Sequence, residues 1–403
     1  MAKLMKLTGF LCILISVTGC WDRVEIEERG FVIGAAIDTT EKSSDDSFGT
    51  RPNKARKEDY QLTYQYVVPA NIQGSGSDGQ SKGGSGGGNP YFNVSSEGKT
   101  IFQITRQLST QVGRSPYLQH VKIIVLSEAL SKQGYLYDAL DFFVRDHEMR
   151  RVAKVMVTNG EAIDALQVDP KNEPMPIMFL ESITQNTVKT AKMLPPTNLG
   201  DVHENLLMGT SFVIPRLVVN NKKAAISGAA VFDSQDQKLV GTLNDKETIG
   251  LNFILGDIQG GVLEFLMNDQ YFAVEVKQAK NKIVTNALDK NQMKFTIEIN
   301  SEGNIGESYG NLNLLEPKEL AEIEKKAEQE IELLVNQVIE KLQKEYKVDV
   351  IRLGEQLKQD HYRIWESVKN DWDKGENYFS KSVIDLKVNF KLREIGSSIE
   401  TVQ

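Results

Sequence analysis

Residues 1–20 limit the fold more than any other part of the chain. Lys3 and Lys6 precede an apolar stretch from Leu7 to Val17, which ends in Val17-Thr18-Gly19-Cys20 and the polar run Trp21-Asp22-Arg23. A charged start, a short apolar middle and small residues before a cysteine make an export signal, too short to span a bilayer core of about 30 Å as a mature helix. Val-Thr-Gly-Cys fits a lipobox, which predicts removal of residues 1–19 and a thioether between the Cys20 thiol and diacylglycerol. Cys12 leaves with the leader, so the folded part keeps no thiol for a disulfide, a zinc site or a nucleophile. Apolar cores alone must hold it together, and about 380 residues are enough for two or three domains.

Charge narrows the partners. The chain has 47 Lys and Arg against 55 Asp and Glu, and loss of Lys3 and Lys6 with the leader leaves 45 against 55. An acidic surface of this kind is expected to be repelled by nucleic acid and by anionic lipid, so attachment has to come from the lipid anchor and from protein partners. Two acyl chains, at about 0.8 kcal/mol per buried methylene, are expected to supply the membrane attachment.

Hydrophobic periodicity predicts an α+β, multi-domain chain: a mixed α/β N-terminal domain over 20–168, a connecting region or small middle domain over 169–220, and a C-terminal α+β domain over 221–403. Phe31 to Ile37 reads as a buried strand ending at Asp38, and residues 39–59 as an exposed loop. Tyr60, Leu62, Tyr64, Tyr66 and Val68 alternate with polar residues, the period of a half-buried strand. Residues 71–89 form a Gly/Ser-rich stretch with too little apolar surface to offset its ordering entropy. Ser96 to Thr100 leads into a helix on Ile101, Ile104 and Leu108; a strand at Val121 to Leu126, a helix at Tyr135 to Val144, a strand at Val152 to Val157 and a short helix near Ala162 to Leu166 follow.

Residues 169–220 hold six prolines and a helical stretch near Ile177 to Val188, hence the connecting reading. The C-terminal domain is expected to open with a hairpin, Ala224 to Phe232 and Leu239 to Gly241, followed by a helix over Asp245 to Leu255. Phe272 to Val276, Met293 to Ile299 and Ile384 to Leu392 read as strands. Pro317 starts a long helix with Leu320, Ile323, Ala327, Ile331, Leu334, Val338 and Leu342 on one face, and a second helical segment runs from Gly354 to Trp372. An antiparallel sheet covered by long helices satisfies both periods.

No catalytic set or cofactor site emerges. His120, His147, His203 and His361 are widely spaced, and the zincin-like starts His147-Glu148 and His203-Glu204 meet Arg151 and Leu207 where a second histidine is required. Gly98-Lys99-Thr100 lacks the P-loop glycine at Asn93, and Gly74 to Gly79 matches a dinucleotide fingerprint with no helix after it. The sequence reads as a non-enzyme.

The run from Cys20-Trp21-Asp22-Arg23-Val24-Glu25-Ile26-Glu27-Glu28-Arg29-Gly30-Phe31 to Asp38 resembles the start of the mature Ger(x)C, or GerAC-type, spore germination lipoproteins. The likeness continues through Glu97 to Phe102, His120 to Glu128, Arg145-Asp146, Gly228 to Phe232, Leu239 to Gly241 and Asp349 to Trp365, so it spans nearly the whole chain. It implies a three-domain α/β lipoprotein, the C subunit of a nutrient germinant receptor. Such a subunit sits on the outer face of the spore inner membrane beside a multi-spanning A subunit and a transporter-like B subunit. The nutrient pocket is then expected in the B subunit, with Trp21, Asp22 and Arg23 as a contact to the membrane subunits. The rival reading is a lipid-anchored solute-binding protein of a nutrient importer. Its two doubly wound lobes fit poorly with the alternating, one-sided strands of the C-terminal half. A cell-envelope hydrolase would need an acid or histidine that this inventory does not offer.

Overall fold

The structure, a computed structural model, describes residues 28–40, 59–72, 88–256, 258–267, 269–308 and 316–394. The leader 1–19, Cys20, Trp21, Asp22, Arg23 and most of the Gly/Ser-rich stretch, residues 73–87, lie outside the described residues.

Ten strands form the first sheet: β1 (Arg29–Thr39), β2 (Tyr60–Val67), β3 (Tyr91–Gly98), β4 (Ser115–Tyr117), β5 (Ile123–Ser127), β6 (Lys154–Thr158), β7 (Thr197–Asn198), β8 (Phe212–Asn220), β9 (Lys223–Asp233) and β10 (Lys238–Leu243). Their order is β10-β9-β8-β6-β5-β1-β2-β3, with β4 paired to β1 and β7 to β6. The four central strands β8, β6, β5 and β1 are mutually parallel, and antiparallel strands flank them on both sides. Continuous apolar runs such as Ile123 to Leu126 follow from burial on both faces. Ile124 and Leu126 face a core with α1 (Ile101–Leu108), α2 (Glu128–Ser131), α3 (Leu136–Arg145) and α5 (Leu199–Met208). Ile123 and Val125 face a second core with the 3-10 turn Ala162–Gln167 and α4 (Pro176–Thr184).

This two-sided burial corrects the half-buried reading of β2. Thr63 and Gln65 are fully buried beside Tyr64 and Tyr66. Gln65 sits there at low cost because its amide is satisfied: Nε2 donates to Asn93 Oδ1 (3.0 Å) and Leu166 O (3.0 Å), and Oε1 accepts from Ile177 N (3.2 Å). Gly34 is needed where α4 crosses β1, since a Cβ there would overlap the Ile177 side chain.

The second sheet, β11 (Gly261–Met267), β12 (Gln270–Asp289), β13 (Gln292–Ser308) and β14 (Val383–Glu394), has the order β11-β12-β13-β14. β11 to β13 form an antiparallel meander, whereas β14 joins β13 in parallel. The purely antiparallel expectation fails at this pair because a helical crossover of more than a dozen residues separates the two strands. That crossover contains α7 (Pro317–Glu340), continued by a π turn over Lys341–Tyr346, then α8 (Leu353–Asp360), α9 (Tyr362–Val368) and α10 (Tyr378–Lys381). The segment expected as one helix from Gly354 to Trp372 breaks at His361. α7 lays Ile323, Ala327, Ile331, Leu334 and Val338 over Phe295, Ile297 and Ile299 of β13 in one core. It also covers the sheet edge, where Glu328 and Glu324 accept from Phe390 N (3.1 Å) and Leu392 N (2.9 Å) of β14.

The expected boundary at 220/221 falls inside a hairpin. Val219 pairs with Ala224 and Asn220 with Lys223, so the strands at 223–243 belong to the first sheet. The prolines of 169–220 likewise serve built elements: Pro176 opens α4 and Pro215 sits beside a bulge in β8. The hairpin is a shared wall. Ala230, Phe232 and Leu239 face the first core, while Ala229, Val231 and Leu243 face the second body together with α6 (Asp245–Leu255).

Candidate functional site

Two segments that carry the family resemblance, Glu97 to Phe102 and Arg145-Asp146, meet in one groove. Thr100 caps α1 by accepting from Gln103 N at 3.1 Å, which fixes the helix start. Ile101, Ile104 and Leu108 then face the core, leaving Phe102 55% exposed on the outer side. On α3, Leu136, Ala139, Leu140 and Phe143 are buried, and Asp138, Asp141, Phe142 and Arg145 turn towards α1. The cavity between the helices encloses about 730 Å³.

Its floor is apolar and its rim charged. Phe102 and Phe142 lie 5.9 Å apart with tilted rings, and the Arg106 guanidinium stands 5.1 Å above the Phe102 ring. Arg145 Nε donates to both Asp141 oxygens (2.8 and 2.7 Å), and this bond to Asp141 raises its pKa. Asp146 ends α3 by accepting from Glu148 N at 2.9 Å. Behind the floor, the Tyr64 hydroxyl bonds Thr105 Oγ1 at 2.9 Å, and burial raises that phenol well above its ordinary value. Chemically, this groove can seat an apolar or aromatic side chain against its paired rings and read neighbouring charges of either sign.

The other singled-out residues serve the fold. At Gly30 a Cβ would press on the Tyr66 ring at 3.0 Å. Asp38 Oδ1 accepts from Ala162 N (2.6 Å) and Oδ2 from Ile163 N (3.1 Å), tying the end of β1 to the 3-10 turn; burial pushes its carboxyl up to about 6. Asp349 Oδ1 accepts from Ile351 N and Leu353 N (both 3.2 Å), and Oδ2 from Gly354 N (2.7 Å) and Trp372 Nε1 (2.8 Å). Gly228, at φ +85°, lies against the Leu243 carbonyl, and Gly241 against the Tyr346 ring.

The histidines stay apart. His120 packs with Phe31 and Tyr117, His203 stacks on Tyr137, His361 approaches Thr285 O, and His147 is an exposed residue at the groove mouth. Among the described residues no group of three His, Cys, Asp or Glu is placed to hold a metal ion. Sequence reasoning did not single out Phe142 or Arg106. The available signal was Phe102, a large apolar residue off the apolar face of its own helix.

The profile of the family described as "Spore germination protein N-terminal domain" matches residues 22–219, and that of "Spore germination B3/GerAC like, C-terminal" matches residues 227–396. The chain is similar to spore germination protein YndF of Bacillus subtilis (strain 168), 33% identical over 96% of each chain. It is also similar to spore germination protein B3 of the same organism, 30% identical over 97% of this chain and 98% of that one. A crystal structure of the GerBC protein superposes with a TM-score of 0.59 at 24% identity, covering 89% of this chain and 97% of that one, which shows a shared fold.

Proposed function

The chain belongs to the GerAC-like family of spore germination proteins, and from that membership we propose that it is the C subunit of a nutrient germinant receptor. Diacylglycerol on Cys20 holds it at the outer face of the spore inner membrane, where it assembles with the A and B subunits and couples their signal without catalysing a reaction. Among the described residues no helix is long and apolar enough to cross a membrane, which fits attachment through lipid. Trp21, Asp22 and Arg23 leave the lipid at headgroup level and form a first contact with the membrane subunits.

The observation that carries the docking role is the convergence of Lys99 to Phe102 with Arg145-Asp146 on the α1/α3 groove, where an aromatic floor is open to solvent. A short apolar segment of a membrane subunit is the occupant that suits it, and Phe102 is the anchor. The importer reading finds less support, since the second body is one sheet under helices and not a doubly wound lobe.

Phe102→Asp tests the groove. The side chain is already exposed, so stability should change by no more than about 0.5 kcal/mol. Co-purification of the A and B subunits from spore membranes should fall. Full recovery of both subunits would remove the groove from the contact surface.

A further inference from the structure

The first sheet gathers cations at one end of its central parallel strands, and that is the end at which β1 begins. The parallel register β1/β5/β6 gathers three segments there, because Arg29 pairs with Ser115, Gly34 with Ile123 and Ile123 with Lys154. Lys154 N also donates to Lys122 O at 2.8 Å, tying the 145–154 turn to the 113–122 loop. Residues 28–31, 113–122 and 145–154 carry seven Lys and Arg against three acids, in a chain where acids otherwise predominate. At the opposite end of β6, residues 158–169 carry Glu161, Asp164 and Asp169 and no Lys or Arg, with Lys222 of the β8–β9 turn beside Asp169.

At this end Lys122 pairs with Glu181 and Arg145 with Asp141, but the three loop arginines are unlike the cations on the second sheet. There they are paired, as in Lys387–Glu298, Lys391–Glu324 and Arg393–Glu302. Arg114, Arg150 and Arg151 are exposed and have no ion pair among the described residues. Arg29 lies 4.1 Å over the Tyr117 ring, which packs on Phe31 and His120. The imidazole of His120 is held below its ordinary pKa by burial first, and then by the positive charges of Arg150 and Lys122. Beside the arginine pair, Val152 is 68% exposed.

We propose that this end of the first sheet, which carries Arg114, Arg150, Arg151 and Val152, rests on anionic phospholipid headgroups and sets the orientation of the anchored protein. The proposal builds on lipidation of Cys20. Eight residues from Cys20 to Glu28 reach at most about 29 Å, so the start of β1 stays close to the bilayer surface. Within a Debye length of about 8 to 10 Å, local arginines and not the distant acidic surface decide the interaction with lipid phosphates. Guanidinium groups suit phosphate oxygens, and an exposed valine next to them suits the headgroup boundary.

A fluorophore on Val152→Cys reads the contact, because the mature chain offers no other free thiol once Cys20 is acylated. The full chain, processed in a lipoprotein-exporting host, is reconstituted in vesicles of phosphatidylcholine alone or mixed with phosphatidylglycerol, and quenching by headgroup-level spin-labelled lipid is measured. Quenching should be several-fold greater on the anionic vesicles. It should fall at high salt, and reach the phosphatidylcholine level in a chain that also carries Arg114→Glu, Arg150→Glu and Arg151→Glu. Equal quenching on both vesicles, or an unchanged triple variant, overturns the proposal. The mass of the N-terminal peptide reports the anchor separately. If that peptide carries no lipid, flotation of the same chain still decides: salt-sensitive flotation with anionic vesicles alone supports the surface, and equal or absent flotation overturns it.

Discussion

Asp349→Asn asks whether burial or hydrogen bonding controls a carboxylate at the centre of the second body. Its oxygens accept from four donors, two of them at 2.7 and 2.8 Å, and such bonds favour the ionised form. Burial opposes them and dominates, pushing the carboxyl from 3.8 up to about 6. The folded protein therefore binds an extra proton between those two values. The associated stability is fully present below the unfolded pKa and is lost as pH rises through 6. With the two pKa values at 3.8 and about 6, linkage gives the wild type about 1.4 kcal/mol on going from about pH 7.5 to about pH 5. Asparagine cannot titrate, and whatever its amide costs beside the Ile351 and Leu353 amides is the same at both pH values. Urea unfolding followed by fluorescence of Trp365 and Trp372 should show the wild-type advantage over the variant growing by that amount at the lower pH. A constant difference, or one moving towards the variant in acid, would mean that the four donors outweigh burial. The reasoning would then fail for Asp38 as well.

Gly34→Val should cost about 1 to 3 kcal/mol in thermal unfolding, because the new side chain overlaps Ile177. Adding Ile177→Ala should recover part of that loss, and strict additivity of the two changes would contradict the contact. Replacing residues 74–88 with a short turn should move the melting temperature little, since each doubling of a flexible loop costs only about 0.6 kcal/mol; a large loss would show that the stretch supports β2 and β3. Cys20→Ala should leave circular dichroism and melting of the folded body unchanged while releasing the chain from the membrane or leaving its leader uncleaved, as fractionation and the mass of the N-terminal peptide would report.

Elements with local punctuation were legible in the sequence. Asn244 and Glu247 form a capping box at the start of α6, and Gly256 closes it in the left-handed region, so both ends of the expected helix agree with the structure. Pro317 and the apolar stripe that follows gave α7 in the same way. Elements defined by distant partners were not legible. Gln65 and Thr63 look solvent-facing in the bare sequence, and it takes Asn93, Leu166 and Ile177 to satisfy the Gln65 amide and Ser95 to satisfy the Thr63 hydroxyl (2.7 Å) for their burial to be tolerable. Pro215 suggested a linker because a bulge that accommodates it beside Ala229 depends on the neighbouring strand. The parallel seat of β14 follows from where its crossover lands, which no local period records. The groove was half visible: Phe102 lay in a quoted motif, but its partner Phe142 is brought to it by packing of α3 against α1.

The most direct test of the receptor role uses spores lacking this chain, exposed to a panel of nutrients and compared with wild-type spores and with spores carrying the gene back in place. The expected result is loss of germination to at least one nutrient, restored by the wild-type chain and not by one bearing Cys20→Ala together with Phe102→Asp. Germination at the wild-type rate on every nutrient, in spores whose other nutrient receptors have been removed so that only the A and B subunits of this receptor remain, would contradict the account.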